Sequence, residues 1–281
     1  MKHTLALWAL PSGWAARELQ RASGTPYSVW ALGSDIWALA KVPGVRTVLE
    51  GVIRGAACRF ADGLQLGQDA EVISGLPFDF LPSSRRLGAV RVRPVATAPP
   101  YRLLFLGRWH ANKGVDLLLE ALAMLDEATW ARIGLVHIAG GGPMDGLVRE
   151  RAAALLSAGR PLKLDGFLDN LAACCALEAA DYLLIPSRVE SIPVVFSDAL
   201  KMKLPVVSMP VGDMPALVSN APACGVLAGS VSALAFAQAV SSAVMAQPAS
   251  FQQGIVDRQA AFNLDQVALR LVASFQAASN A

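Results

Sequence analysis

The sequence predicts an α/β protein built from two Rossmann-like domains with parallel sheets, the amino-terminal one incomplete. Three observations lead there. From Tyr101 onward, short apolar runs of strand length alternate with helical runs, the pattern of a parallel sheet crossed by helices. Two of the expected strand ends run into glycine-bearing turns, at Gly107 and at Gly140-Gly141-Gly142. Ahead of Gly88 lies a shorter α/β stretch with fewer strands than a whole domain of this kind needs.

The carboxy-terminal domain is expected over 101–260. Its strand candidates are Arg102–Leu106, Gly134–Ala139, Leu162–Leu164, Tyr182–Ile185 and Val206–Met209, with intervening segments long enough for crossover helices. After the first strand, Val115, Leu118, Leu119, Leu122 and Leu125 recur every three or four residues. One apolar stripe therefore faces the sheet, and Glu120 and Asp126 fall on the solvent side. The amino-terminal domain, 1–88, reads as a helix near Gly13–Ala22, a strand near Tyr27–Ala31 and a basic helix around Val45–Gly55. Residues 89–100, within a run rich in Pro, Val and Arg, read as the linker. The segment 261–281 carries a final helix, about Leu264–Ala278, expected to pack back on the amino-terminal domain.

Bulk properties narrow the function classes. At 281 residues and 54% hydrophobic content, the chain can build two cores. Its 24 basic and 22 acidic residues leave a net charge of only +2, which argues against a nucleic-acid partner. A mean hydropathy of +0.44 with 16% charged residues keeps a peripheral contact with the inner membrane face in view. The start is a poor signal peptide, broken early by Pro11 and Gly13. The uncharged run Gly225–Ala246 is interrupted by Ser230, Ser232, Gln238, Ser241 and Ser242, so it reads as a buried helix before a membrane span. Cys58, Cys174, Cys175 and Cys224 have neither ligand spacing nor a disulfide pattern, which fits a cytoplasmic location. No metal site and no cofactor are expected.

Three segments carry chemistry. Gly107-Arg108-Trp109-His110-Ala111-Asn112-Lys113-Gly114 joins a strand to an amphipathic helix. Free backbone N–H groups and the helix dipole at such a junction make an anion site, and Arg108 and Lys113 add two cations suited to a diphosphate. On these residues alone, the two side chains fit a solvated loop equally well. The turn around Gly141 allows close backbone approach to a ligand, or a tight turn made for geometry alone. Its spacing is not the dinucleotide fingerprint, which argues against a nicotinamide or flavin cofactor. The third segment, Ser187 to Asp198, places Glu190 at the carboxyl edge of the sheet, where ligands of open α/β folds bind. Pro193 suits a first helical turn, so the amides of Val194 and Val195 can face an anion. Asp198 follows about one turn later, and the two carboxylates can hold the hydroxyls of a sugar and a ribose. Capping by Glu190 and a dipole or solvent role for Asp198 are the competing readings.

Taken in order, GRWHANKGVDLLLEAL, HIAGGGP, LDGF, PSRVESIPVVFSDALKMKLPVV and VGDMPALV resemble the successive motifs of the family 4 glycosyltransferases, which have the GT-B architecture. The resemblance covers Tyr101 to about Val218. It implies that Arg108 and Lys113 neutralise the diphosphate of a nucleotide-sugar donor and that Glu190 contacts the donor sugar. It also implies that Asp198, where many relatives have a Glu, contacts the ribose, and that Gly166-Phe167-Leu168 lies near the base. Gly107, Gly141, Ser187, Ser191, Ile192, Pro193, Val194 and Val195 fall on the same donor-binding motifs. The amino-terminal run LWALPSGWAARELQRASGTPYSVWALGSDIWAL resembles the later half of that family's first domain and brings in Gly33, Ser34 and Asp35. Leu32 stands where many relatives have a His, and the glycine-rich loop that normally precedes this point is absent.

The implied function is a retaining glycosyltransferase that moves a hexose-type sugar from a nucleoside diphosphate sugar to the hydroxyl of a glycan or lipid-linked acceptor. The short amino-terminal domain supports a rival reading, a non-catalytic nucleotide-sugar-binding module. A nucleotide-sugar epimerase of the same architecture is a further alternative.

Overall fold

The computed structural model describes residues 2–280, which fall into two compact units, residues 2–84 with 261–280 and residues 85–260. In the first unit the chain runs β1 (Thr4–Leu7), α1 (Ser12–Ser23), β2 (Tyr27–Ala31), α2 (Ser34–Trp37), α3 (Val45–Gly55), β3 (Arg59–Ala61), α4 (Leu64–Ser74) and β4 (Asp79–Phe80). The four strands form one parallel sheet in the order β1-β2-β3-β4. Helix α3 turns Leu49, Val52 and Ile53 inward, against Tyr27, Val29 and Ala31 of the sheet. β1, β3 and β4 are absent from the sequence expectation because runs of two to four residues are too short to show a strand period.

The second unit contains β5 (Tyr101–Arg108), α5 (Val115–Ala123), α6 (Glu127–Trp130), β6 (Ile133–Gly141), α7 (Asp145–Ser157), β7 (Leu162–Asp165), α8 (Asn170–Ala179) and β8 (Tyr182–Ile185). It continues through α9 (Val194–Lys201), β9 (Val206–Ser208), α10 (Met214–Ser219), β10 (Gly225–Leu227), α11 (Ala233–Met245) and α12 (Gln252–Gln259). Six parallel strands lie in the order β10-β9-β8-β5-β6-β7, so the strand sequence reverses direction at the β5/β8 pair. Open α/β sheets bind ligands outside the carboxyl ends of their strands at such a switch point. The apolar stripe of α5 is closed off from water, with Val115, Leu118, Leu119 and Leu122 each at most 1% exposed.

Two expectations shift here. β5 and β6 run longer than the apolar pattern indicates, through Arg108 and Gly141, pairing Gly107 with Gly140 and Arg108 with Gly141. Glycine permits this, since a Cβ on Gly140 would lie 1.8 Å from the Gly107 carbonyl oxygen. The linker segment has no regular element but is held to the second unit by arginines. Arg93 Nη1 pairs with buried Asp181 at 2.9 Å, and Arg91 Nη1 donates to the Ala180 carbonyl at 2.8 Å.

The uncharged run from Gly225 resolves into β10 and α11. No helix among the described residues is long and apolar enough to cross a membrane. The last helix, α13 (Leu264–Asn280), belongs to the first unit, where Val267 buries against Phe60 and Leu81 and the Phe275 ring stacks on His3.

Candidate functional site

β5 and β8 are parallel neighbours, so the loops that follow them reach the same edge of the sheet. Their backbones are locked together. Gly114 adopts φ +67°, and a Cβ there would sit 1.9 Å from the Pro186 carbonyl oxygen, so only glycine allows this approach. Arg188 N–H donates to the Asn112 carbonyl at 2.8 Å, and its guanidinium grips Asp116 at 2.8 and 2.6 Å. Burial works to raise the Asp116 pKa, but the bonds and charge of Arg188 outweigh it and hold the carboxylate below its ordinary value.

On this frame Lys113 forms an ion pair with Glu190, and Ser187 Oγ donates to the same Glu190 oxygen at 3.2 Å. The pair is half-open to water, with the Lys113 side chain 37% and the Glu190 side chain 13% exposed. Arg108, at the end of β5, is exposed and has no side-chain partner among the described residues. His110 Nδ1 accepts from Asn112 N–H at 3.2 Å and so caps the turn.

The start of α9 completes the edge. Pro193, expected in the first helical turn, is the N-cap residue just ahead of it, with φ −62° and ψ 130°. Its extended ψ bends the chain before the helix begins, and Val194 takes the first turn. Val194 N–H and Val195 N–H have no acceptor among the described residues, as expected of a helix start. The hydroxyls of Ser191 and Ser197 are buried without a hydrogen-bond partner among the described residues. Ile192 is buried, and Gly212 backs this loop so closely that a Cβ on it would lie 2.3 Å from the Glu190 and Ser191 carbonyl oxygens.

The turn after β6 packs on the turn after β7. Gly140 N–H donates to the Gly166 carbonyl at 3.2 Å, and the Phe167 ring lies where a Gly141 Cβ would be, 2.7 Å away. Phe167 is 72% exposed, a large apolar ring left facing solvent beside the glycine turn and followed by Leu168. Trp109, which carries no expected role, proves to be a fully buried strut between these loops. Its backbone N–H donates to the Gly141 carbonyl at 2.9 Å, and its carbonyl accepts from Met144 N–H at 3.1 Å.

The structure thus gathers Gly107, Arg108, Lys113, Gly141, Gly166, Phe167, Leu168, Ser187, Glu190, Ser191, Ile192, Pro193, Val194 and Val195 along one sheet edge. Asp198, expected to be open to a ligand, is buried, and both of its carboxylate oxygens are taken by the Arg85 guanidinium, at 2.6 to 3.2 Å. The pairing spans 113 residues of sequence, beyond the reach of any local motif. In the first unit, Gly33 has φ +115°, and the buried Asp35 carboxylate accepts from the N–H groups of Ala9, Leu32 and Gly33 at 2.7, 3.2 and 3.0 Å. Burial raises the Asp35 pKa despite those amides. Asp35 therefore pins the loop after β1 to the loop after β2.

The family described as glycosyl transferases group 1 matches residues 100–245. The D-inositol 3-phosphate glycosyltransferase of Geodermatophilus obscurus is 32% identical over 210 residues, covering 72% of this chain and 44% of that protein. TuaC of Bacillus subtilis, assigned to teichuronic acid biosynthesis as a glycosyltransferase, is 24% identical over 223 residues, covering 75% of this chain and 54% of that protein. The chain spans about half the length of these curated relatives. Among solved structures, HepE of Anabaena in complex with UDP superposes with a TM-score of 0.77 at 16% identity, covering 98% of this chain and 79% of that one. HepE in complex with UDP-glucose gives 0.74 at 14% identity, covering 95% and 76%. The fold is GT-B.

Proposed function

The chain belongs to the glycosyl transferases of group 1, and from that premise we propose that it moves a hexose-type sugar from a nucleoside diphosphate sugar to an acceptor hydroxyl, with retention at the anomeric carbon. The observation that carries the reading is the edge where Arg108, the Lys113–Glu190 pair and the open start of α9 lie together on strand ends of one sheet. A diphosphate fits that edge. It takes its place beside Arg108 and Lys113, with its oxygens toward the amides of Val194 and Val195. In doing so it draws Lys113 away from Glu190, whose carboxylate then accepts from hydroxyls of the sugar.

The chemistry follows from where charge develops. As the bond between the anomeric carbon and the phosphate oxygen lengthens, negative charge grows on the diphosphate. Fixed cations and amides bind that charge more strongly in the transition state than in the ground state. The departing phosphate oxygen takes the proton of the attacking hydroxyl on the same face, which gives retention and needs no protein nucleophile. UDP is the favoured nucleotide because HepE was solved with UDP and with UDP-glucose. A glycan or lipid-linked acceptor is in keeping with TuaC, and a peripheral place at the inner membrane face is part of the same proposal.

Incubation of the purified chain with UDP-, GDP- and ADP-sugars and candidate acceptors, with products read by proton NMR, tests this. The expected result is released nucleoside diphosphate together with a glycoside of the donor's own anomeric configuration. An epimerised nucleotide sugar, or bound but unconsumed donor with every acceptor, would replace transferase with epimerase or binding module.

A further inference from the structure

We infer that the ribose of the donor meets a guanidinium and not a carboxylate: Arg85, held in place by Asp198, is the nucleoside-positioning residue of this site. The inference rests on the donor reading above and extends it to a residue outside every recognised motif.

Asp198 lies four residues after Val194 on α9, so the two share one stripe of the helix a single turn apart. Helical side chains lean toward the N-terminus; that of Asp198 leans toward the open amides proposed to hold the diphosphate. One turn, about 5.4 Å, is also the reach from a diphosphate to the ribose attached to it. The place is right for a ribose, but the carboxylate is not accessible. Its side chain is 1% exposed, whereas that of Arg85, which covers it, is 42% exposed. Arg85 uses Nε and Nη2 on Asp198 and leaves Nη1 without a partner among the described residues.

Two further contacts keep the arrangement fixed. Lys201 Nζ donates to the Arg85 carbonyl at 2.5 Å, and Gln259 Nε2 donates to the Leu200 carbonyl at 2.9 Å. Withdrawing the guanidinium would strand a buried charge, which costs more than one hydroxyl hydrogen bond returns. Arg85 therefore stays, and its free Nη1 donates to the ribose oxygens. Asp198 acts through Arg85 as a positioning residue.

Calorimetric titration of the full chain with UDP and with 2′-deoxy-UDP tests this on wild type, Arg85→Ala, Arg85→Lys and Asp198→Asn. Wild type should bind the deoxy nucleotide roughly tenfold more weakly, and Arg85→Ala should bind UDP more weakly by a similar factor while losing the preference. Arg85→Lys keeps a cation for the buried carboxylate, and so preserves the fold, but a point charge cannot bridge Asp198 and ribose; it too should lose the preference. Asp198→Asn should weaken it. Unchanged or tighter UDP binding by Arg85→Ala, full preference retained in either Arg85 variant, or no preference in wild type would overturn the inference while leaving the donor reading standing. No heat from wild type with UDP, GDP or ADP would overturn both.

Discussion

Glu190 and Lys113 satisfy each other across the two loops, so neither can be removed without leaving the other unpaired. Charge-assisted hydrogen bonds are worth about 1.5–3 kcal/mol. Glu190→Gln, which keeps shape but loses charge, should therefore lower kcat/KM by roughly ten- to a hundredfold. Lys113→Ala should do at least as much through loss of the phosphate contact, and steady-state kinetics on a donor that turns over checks both. Burial lowers the pKa of His137 below its ordinary 6.5, against the opposing pull of its hydrogen bond to Asp165 at 2.8 Å. The unfolded chain therefore takes up this proton before the folded protein does. The stability contributed by neutral His137 is intact above about pH 6.5 and declines as pH falls from there through the lowered folded value. Denaturant melts should show that decline, and His137→Gln should flatten it, leaving the part owed to His3, whose pKa burial also lowers. At this scale the sequence was informative where a residue's position follows from its neighbours in the chain. Arg108, Lys113 and Glu190 sit in motifs that place them at strand ends. The grip of Arg85 on Asp198 and of Arg188 on Asp116 joins distant segments, and no spacing rule reveals it.

The junctions between elements depend on glycine at specific places. Gly114→Ala meets two obstacles, a positive φ and a methyl group within 1.9 Å of the Pro186 carbonyl oxygen. The strained backbone alone costs about 1–3 kcal/mol, and relief of the clash must separate the Lys113 and Glu190 loops. Chemical denaturation should show the loss of stability, accompanied by a loss of activity larger than the stability change explains. Gly146→Ala is the contrast. That glycine is exposed in α7 with nothing within 4 Å of a new Cβ, so the substitution should stabilise by about 0.5–1 kcal/mol and leave activity unchanged. Element type was legible where an apolar period ran for two turns or more, as in α5. It failed for β1, β3, β4 and β10, whose pairing with neighbours, not their own composition, makes them strands. Strand ends were set too early at Leu106 and Ala139, because glycine carries little strand propensity and extends a strand only where a neighbouring backbone must come close.

At the scale of the molecule, the chain returns at its end to the unit it began in. Val267 fills a small core with Phe60 and Leu81, and Arg270 donates to the Phe80 carbonyl at 2.6 Å. Val267→Asp should destabilise the first unit by burying a charge, visible as an earlier thermal transition. The linker segment is equally tied down, since Asp181 is buried beneath Arg91 and Arg93. Asp181→Ala should cost about 3–5 kcal/mol by stranding buried positive charge. The parallel α/β class and GT-B architecture were visible in the order of motifs along the chain, because that order fixes which loops share a sheet edge.

The claim beneath all of this is that Arg108, Lys113 and the start of α9 bind a diphosphate, and phosphorus NMR observes that event at the atoms concerned. Titration of the chain into UDP should shift and broaden both phosphorus resonances, with the effect largely lost in Arg108→Ala. Phosphorus signals that stay put for UDP, GDP and ADP alike, or that move identically with Arg108→Ala, would contradict it.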